Sequence, residues 1–192
     1  GKRAHIESKE TLQLLQKILQ SGIKEKVAIK SVNSVLSLRT TDEIFTTLDL
    51  AMVDLQTAVV NFLKIGSSPS YIKRGNKVFK VQSNNLPMGM FLDFEVDVVT
   101  QELKAGDILI MMSDGIYDGP KYVENFDFCI RRKIQELETV DPQAIADLIL
   151  EEVIRTTGQI QDDMTIIVTR IDHNTPKWAS IPITKIRATA KN

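Results

Sequence analysis

This sequence predicts an α+β layered domain in which antiparallel sheet is stacked under helices, and three observations carry the reading. Apolar residues recur at helical spacing at both ends of the chain, over residues 2–38 and again between 123 and 153. Short β-branched and aromatic runs, divided by Gly, Ser, Pro and Asn, fill the centre. These central runs follow one another without intervening helices, which argues against a parallel, doubly wound sheet.

The first apolar stripe is Leu12, Leu15, Ile18 and Leu19 within residues 2–21, and it stops at Gly22, a residue that readily closes a helix. A second stripe of Ala28, Val32, Val35 and Leu36 runs over 24–38 before Thr40, Thr41 and Asp42 break it. Residues 44–53, 59–65, 71–73 and 78–81 then read as an antiparallel meander, punctuated by Gly66-Ser67-Ser68-Pro69 and Gly75-Asn76. After a turn at Leu86-Pro87-Met88-Gly89, residues 91–99 are expected as a further strand. The unbroken apolar run over 107–112 is expected as a central strand covered on both faces. Two helices come next, one turning Val123, Phe126, Ile130, Ile134 and Leu137 inward. The other opens at Asp141-Pro142, an N-cap and a first-position proline, and carries Ile145, Leu148, Ile149 and Val153. Residues 164–171 form the last strand. The stretch 173–192 has Pro176, Pro182 and four Lys/Arg against no acidic residue, and reads as a tail that Trp178 and Ile181 are able to dock.

With 192 residues, 43% of them hydrophobic, the chain has the size of one ordinary domain with a buried core. Its 24 Lys+Arg balance 25 Asp+Glu, so the charge points neither to nucleic acid nor to an anionic membrane as partner. The single Cys129 cannot pair internally, which fits a reducing compartment, and it is expected as a buried core thiol. No apolar run approaches the ~18 residues of a membrane span. The opening Gly1-Lys2-Arg3-Ala4-His5 leads into charged residues rather than a signal-peptide apolar region, so these residues are expected to be soluble.

Two acidic turns stand out. Ser113-Asp114-Gly115 comes directly after the buried strand over 107–112, and Asp162-Asp163-Met164-Thr165 precedes the last strand. Either alone is an ordinary turn or solvated loop. If the two strands are antiparallel neighbours, the exit of one and the entry of the other share a sheet edge, and Asp114 and Asp162 converge. Converging carboxylates repel unless a cation lies between them, and an all-oxygen site suits Mg²⁺ or Mn²⁺. His5 and His173 are isolated and read as surface residues rather than zinc ligands. No Walker-type loop, nucleophile elbow or dinucleotide fingerprint is present, which leaves metal-assisted hydrolysis.

In order and spacing, strand, Ser113-Asp114-Gly115, two helices and Asp162-Asp163-Met164-Thr165 resemble the C-terminal half of the PP2C-type (PPM) metal-dependent protein phosphatases. Gly66-Ser67-Ser68-Pro69 with residues 71–73 after it, and Leu86-Pro87-Met88-Gly89, resemble markers of the bacterial branch that acts on regulators of sigma factors. The likeness continues through Ile171-Asp172-His173-Asn174-Thr175-Pro176-Lys177-Trp178 and covers essentially the whole chain. It implies a PP2C-like antiparallel β-sandwich flanked by helices, with residues 1–172 as the C-terminal part of the phosphatase domain and 173–192 as a tail. In the family the first metal-binding Asp lies in an Asp-Gly-Met-Gly segment, and Gly1-Lys2-Arg3-Ala4 with Ser8 resembles the stretch immediately C-terminal to that segment. The bridging Asp and the N-terminal strands are therefore expected upstream of residue 1.

The activity implied by the resemblance is hydrolysis of phosphoserine or phosphothreonine by water activated between two Mn²⁺ or Mg²⁺ ions. Asp114 and Asp162 would bind the same metal, and Gly115 would leave room where the backbone approaches it. Asp118 and Asp163 are further candidates, with solvated loop as the competing role for each. The implied substrate is a phosphorylated anti-sigma-factor antagonist, in control of a sporulation-specific sigma factor. The domain would lie on the cytoplasmic face of the membrane, with membrane spans upstream. Residues 1–192 alone are expected to bind one metal at most and to show little activity, and their unpaired sheet edges favour a homodimer with exchanged or added strands. An alternative is a catalytically inactive regulatory or interaction module of the same fold, with helices 2–21 and 24–38 as the partner surface. Against it, amphipathic surface helices ordinarily face their own core. A two-metal nuclease is disfavoured because no basic groove pattern is present.

Overall fold

Two antiparallel sheets pack face to face, and helices cover the outer face of each. The computed structural model describes residues 2–38, 45–91, 95–117, 125–157 and 162–172, with side chains from Ile6 onward. Helices α1 (Lys2–Gln20) and α2 (Glu25–Leu38) lead into strands β1 (Leu48–Val53) and β2 (Val59–Ile65), then β3 (Ser70–Arg74) and β4 (Lys77–Val81). Strands β5 (Val99–Glu102) and β6 (Ile108–Met112) come after them, then the one-turn helix α3 (Asp114–Tyr117), α4 (Phe126–Glu136), α5 (Pro142–Thr157) and β7 (Ile166–Arg170). One sheet has the order β1-β2-β5 and the other β4-β3-β6-β7.

Strand alternation divides the core into three layers. Leu63 and Ile65 of β2 face outward and meet Leu15, Ala28, Ile29, Val32 and Leu36 of α1 and α2. Val60 and Phe62 face the opposite way, into the space between the sheets, where they meet Ile72 and Leu109. Ile108, Ile110 and Met112 of β6 lie under α4 and α5, against Ile130, Ile134, Ile145 and Ile149. The apolar stripes of the first two helices thus cover their own sheet, which removes the main support for a partner surface there. Asp141 caps α5 as expected, its Oδ2 accepting the Ala144 N–H at 2.8 Å. Gly22, at φ 82°, closes α1 in a conformation that favours glycine.

Several expectations need correction. The four central strands form no single meander, because β1 and β5 pair with the two edges of β2 and leave none for β3. The chain instead changes sheets through Gly66-Ser67-Ser68-Pro69. Gly66 has φ 60°, and a Cβ there would lie 2.7 Å from Pro87 Cγ. Residues 95–98 are irregular and the strand begins at Val99. Val96 packs beneath α2, and Asn33 holds the preceding loop, donating to the Phe91 carbonyl at 2.8 Å and accepting from the Gly89 N–H at 2.9 Å. Leu12 is 61% exposed, while Thr11 and Leu15 turn inward. Cys129 is exposed rather than buried, because the inward face of α4 is set by Ile130 and Ile134, and its immediate neighbour points about 100° away. Val123, the His5 side chain and the tail 173–192 lie outside the described residues. No helix among the described residues is long and apolar enough to cross a membrane.

The start of β6 is held by a buried charge. Asp107 accepts from Arg74 Nε at 2.8 Å, from Arg74 Nη2 at 2.6 Å and from the Lys104 N–H at 2.8 Å. Replacing Asp107 with Ala leaves a guanidinium and a backbone donor without their acceptor. Because Arg74 is 34% exposed and water partly compensates, a loss of about 2 kcal/mol is expected, checked by urea titration of the variant beside the parent.

Candidate active site

Strands β6 and β7 are antiparallel neighbours, and their last rung pairs Met112 with Ile166. The pairing continues past both strand ends: the Ser113 N–H donates to the Thr165 carbonyl at 2.9 Å, and the Thr165 N–H donates to Ser113 Oγ at 2.9 Å. Two chain segments separated by about fifty residues are thereby fastened at the point where each carries its acidic residues. Asp114 opens α3, and its Oδ1 accepts the Gly115 N–H at 2.9 Å. Asp162 Oδ1 accepts the Asp163 N–H in the same way at 2.8 Å.

Gly115 is the contact between the two turns. A Cβ at this position would strike the Asp163 carbonyl oxygen and come within 3.5 Å of the Asp162 carbonyl carbon. The glycine is needed for a close approach of backbone to backbone. Asp114, Asp162 and Asp163 are all exposed, as a ligand for an incoming ion must be, and Asp118 lies outside the described residues. The last strand is shorter than the expected 164–171: β7 begins only at Ile166 and residues 162–165 are loop, so strand alternation does not separate Asp162 from Asp163.

Asp114 opens onto a cleft of ≈ 230 Å³ where the two sheets meet, shared with Thr165, Ser67, Ser68 and Asp49 of β1. Ser67 Oγ is buried there without a hydrogen-bond partner. Asp49 is a residue of the cleft that sequence reasoning misses. It pairs directly with Lys64 across β1 and β2, the Lys64 Nζ lying 2.7 Å from Asp49 Oδ1. Lys64 also donates to Ser70 Oγ of the other sheet at 2.8 Å, and Ser70 donates back to Asp49 Oδ2 at 3.3 Å. Burial pushes the Lys64 ammonium below its usual pKa, against the pull of Asp49. The available signal is an Asp and a Lys, each the one charged residue of its strand: Leu48-Asp49-Leu50 and Phe62-Leu63-Lys64-Ile65.

The turns that carry Asp114 and Asp162 meet at one sheet edge, and carboxylate and hydroxyl oxygens are donors that suit a hard cation such as Mg²⁺ or Mn²⁺. Among the described residues no cluster of three or more Asp, Glu, His or Cys side chains forms a metal cage. The donors fit such an ion in kind.

Helix, sheet, sheet, helix layering with this cleft is the architecture of the PP2C phosphatase domain. The solved structure of that domain with a fragment of the regulatory domain, from SpoIIE of Bacillus subtilis, matches with a TM-score of 0.83 and 65% identity, over 92% of this chain and 51% of that one. Residues 1–172 match the family of stage II sporulation protein E (SpoIIE), and the chain belongs to that family. It is 68% identical over 183 residues to stage II sporulation protein E of Priestia megaterium and 65% identical over 187 residues to that of Bacillus subtilis (strain 168). These matches cover 95% and 97% of this chain but only 31% and 23% of the two relatives, so the chain spans a minor part of their length.

Gly115→Ala tests the contact between the turns. The added methyl meets backbone rather than a flexible side chain, so the 162–165 loop must move, and a loss of about 1–3 kcal/mol is expected. Hydrogen exchange is expected to quicken at Ser113 and Thr165 while the α5 amides keep their protection.

Proposed function

We propose that these residues form part of a metal-dependent protein serine/threonine phosphatase. The observation that carries this reading is the packing of the Asp114 and Asp162 turns against each other across Gly115, at the mouth of the cleft between the sheets. Membership of the SpoIIE family and the PP2C architecture support it.

Asp114 and Asp162 hold a divalent cation, Mn²⁺ or Mg²⁺, one of two in the complete domain. When bound, such ions would supply electrostatic stabilisation for a phosphoryl group and lower the pKa of a water. Each carboxylate is tethered through one oxygen to the next backbone N–H, which restricts its rotation before an ion arrives. Ser113 fixes the spacing of the two turns through its hydroxyl and its N–H. Ser67, with a buried hydroxyl that has no partner, is a donor suited to a phosphate oxygen entering the cleft. Asp49 is committed to Lys64 and Ser70 and shapes the cleft rather than binding the ion.

The substrate is a phosphoserine protein, the phosphorylated anti-sigma-factor antagonist, and dephosphorylation controls activation of a sporulation-specific sigma factor. The domain works at the cytoplasmic face of a membrane that upstream segments span, and a homodimer is its proposed assembly.

In a chain extended to the length of the solved domain, Asp114→Asn is expected to lower manganese-dependent phosphate release from a phosphoserine protein by more than about 100-fold with little change in melting temperature. Wild-type turnover across a manganese titration would remove Asp114 from the site, whereas no turnover by the parent chain would favour an inactive interaction module. Asp162→Ala is expected to lose activity and Asp163→Ala to keep most of it. The reverse result would assign the metal to Asp163, whose carbonyl already lies against Gly115.

A further inference from the structure

A polar cluster lies between the second sheet and α4, away from the cleft. Asp127, in the first turn of α4, accepts three donors on one oxygen: Tyr71 Oη of β3 at 2.8 Å, Lys80 Nζ of β4 at 2.8 Å and Tyr117 Oη of α3 at 3.1 Å. Lys80 also donates to Tyr117 Oη at 3.3 Å and lies 5.6 Å from the centre of its ring, and Phe126 meets that ring edge-on at 6.0 Å. Burial raises the Asp127 pKa, yet Lys80 and the Tyr71 hydroxyl outweigh it and hold the carboxyl below its usual range.

Tyr117 is the last residue of the four-residue helix that begins at Asp114. One turn of helix fixes several dihedral angles for few hydrogen bonds and does not persist unaided. Here Ile116 N–H and Tyr117 N–H donate to the Ser113 carbonyl, at 3.1 and 3.3 Å. Its shape therefore rests on anchors at its two ends. Ser113 fastens the first end to Thr165. At the other, Ile116 is buried in the core beneath α4 and the Tyr117 hydroxyl reaches Asp127. The N-terminus of α4 shows the same commitment, since Asn125 at its N-cap makes no side-chain capping bond and the nearby Asp127 carboxylate is given to the cluster.

We propose that Tyr117 and Asp127 are positioning residues for Asp114: through the cluster with Tyr71 and Lys80 they clamp α3 and so hold the metal-binding carboxylate in place. The inference rests on the reading of Asp114 as a metal ligand. A merely structural cluster would stabilise α4 without affecting Asp114, and the two roles separate on substitution. Tyr117→Phe keeps the ring, its contact with Phe126 and the approach of Lys80 to its face, and removes the hydroxyl with its bonds to Asp127 and Lys80. Tyr71→Phe removes a donor to the same Asp127 oxygen while leaving α3 attached.

The test is hydrogen–deuterium exchange and Mn²⁺ titration on the full chain. Tyr117→Phe is expected to quicken exchange over residues 114–117 about tenfold, leave α4 protected and weaken Mn²⁺ binding about tenfold. Tyr71→Phe is expected to leave exchange over 114–117 and Mn²⁺ affinity near those of the parent. Unchanged exchange over 114–117 in Tyr117→Phe overturns the proposal, and so does equal loosening of α4 by both variants. Faster exchange with unchanged Mn²⁺ affinity also overturns it, provided Asp114→Asn abolishes binding. If Asp114→Asn leaves Mn²⁺ binding intact, the ligand assignment is what fails, and the exchange arm alone decides whether the clamp exists.

Discussion

Antiparallel pairing of β6 with β7 is the constraint on which the site depends. The register from Ile108–Arg170 to Met112–Ile166 leaves no freedom in where the two acidic turns emerge, because a slip of one residue would reverse every side chain between core and cleft. That slip is costly: it would exchange Ile108, Ile110 and Met112, packed under α4 and α5, with Leu109 and Met111, packed between the sheets, and each layer is close-packed around the side chains it holds. The hydrophobic layer beneath the helices thus sets the separation of Asp114 and Asp162, although neither belongs to it. Ser113 and Thr165 extend the ladder by one further exchange of hydrogen bonds into the turns themselves.

Packing of the two sheets creates the cleft, and buried polar groups maintain it. Lys64 places an ammonium between sheets whose other contacts are Val60, Phe62, Ile72 and Leu109. Such a charge is tolerated because Asp49 and Ser70 complete a closed triangle around it. Joining β1 and β2 of one sheet to β3 of the other, the triangle sits beside the Gly66-Ser67-Ser68 crossover that lines the cleft. An apolar substitute of similar volume could match its stability, so its value lies in holding the crossover at one spacing.

Charge is distributed differently at the two ends of β6. At its start, Asp107 is buried and fully engaged by Arg74 and the Lys104 N–H, which anchors the strand. At its finish, Asp114 is exposed with only a local backbone bond. The same residue type serves stability at one end and is left available for chemistry at the other, and the difference is one of partners and solvent.

Much of this was legible in the sequence. Helices α1, α2, α4 and α5 follow from apolar spacing, and β6 follows from its unbroken apolar run. The two acidic turns flank predicted strands, whereas Gly115 was expected to leave room beside a metal and is found packed against the Asp163 backbone. These features are local: periodicity reports which face of an element is apolar, and turn residues report where it stops. Only the tertiary structure decided that β2 and β3 belong to different sheets, since every strand edge offers the same backbone donors and acceptors and the pattern of side chains does not say which edge pairs. It also decided that Leu12 and Cys129 face solvent, that residues 95–98 pack under α2 instead of laddering, and that Asp49 closes on Lys64 and Tyr117 on Asp127. Each of those outcomes depends on a partner distant along the chain, and a distance in space between such residues is set by the packing of the layers.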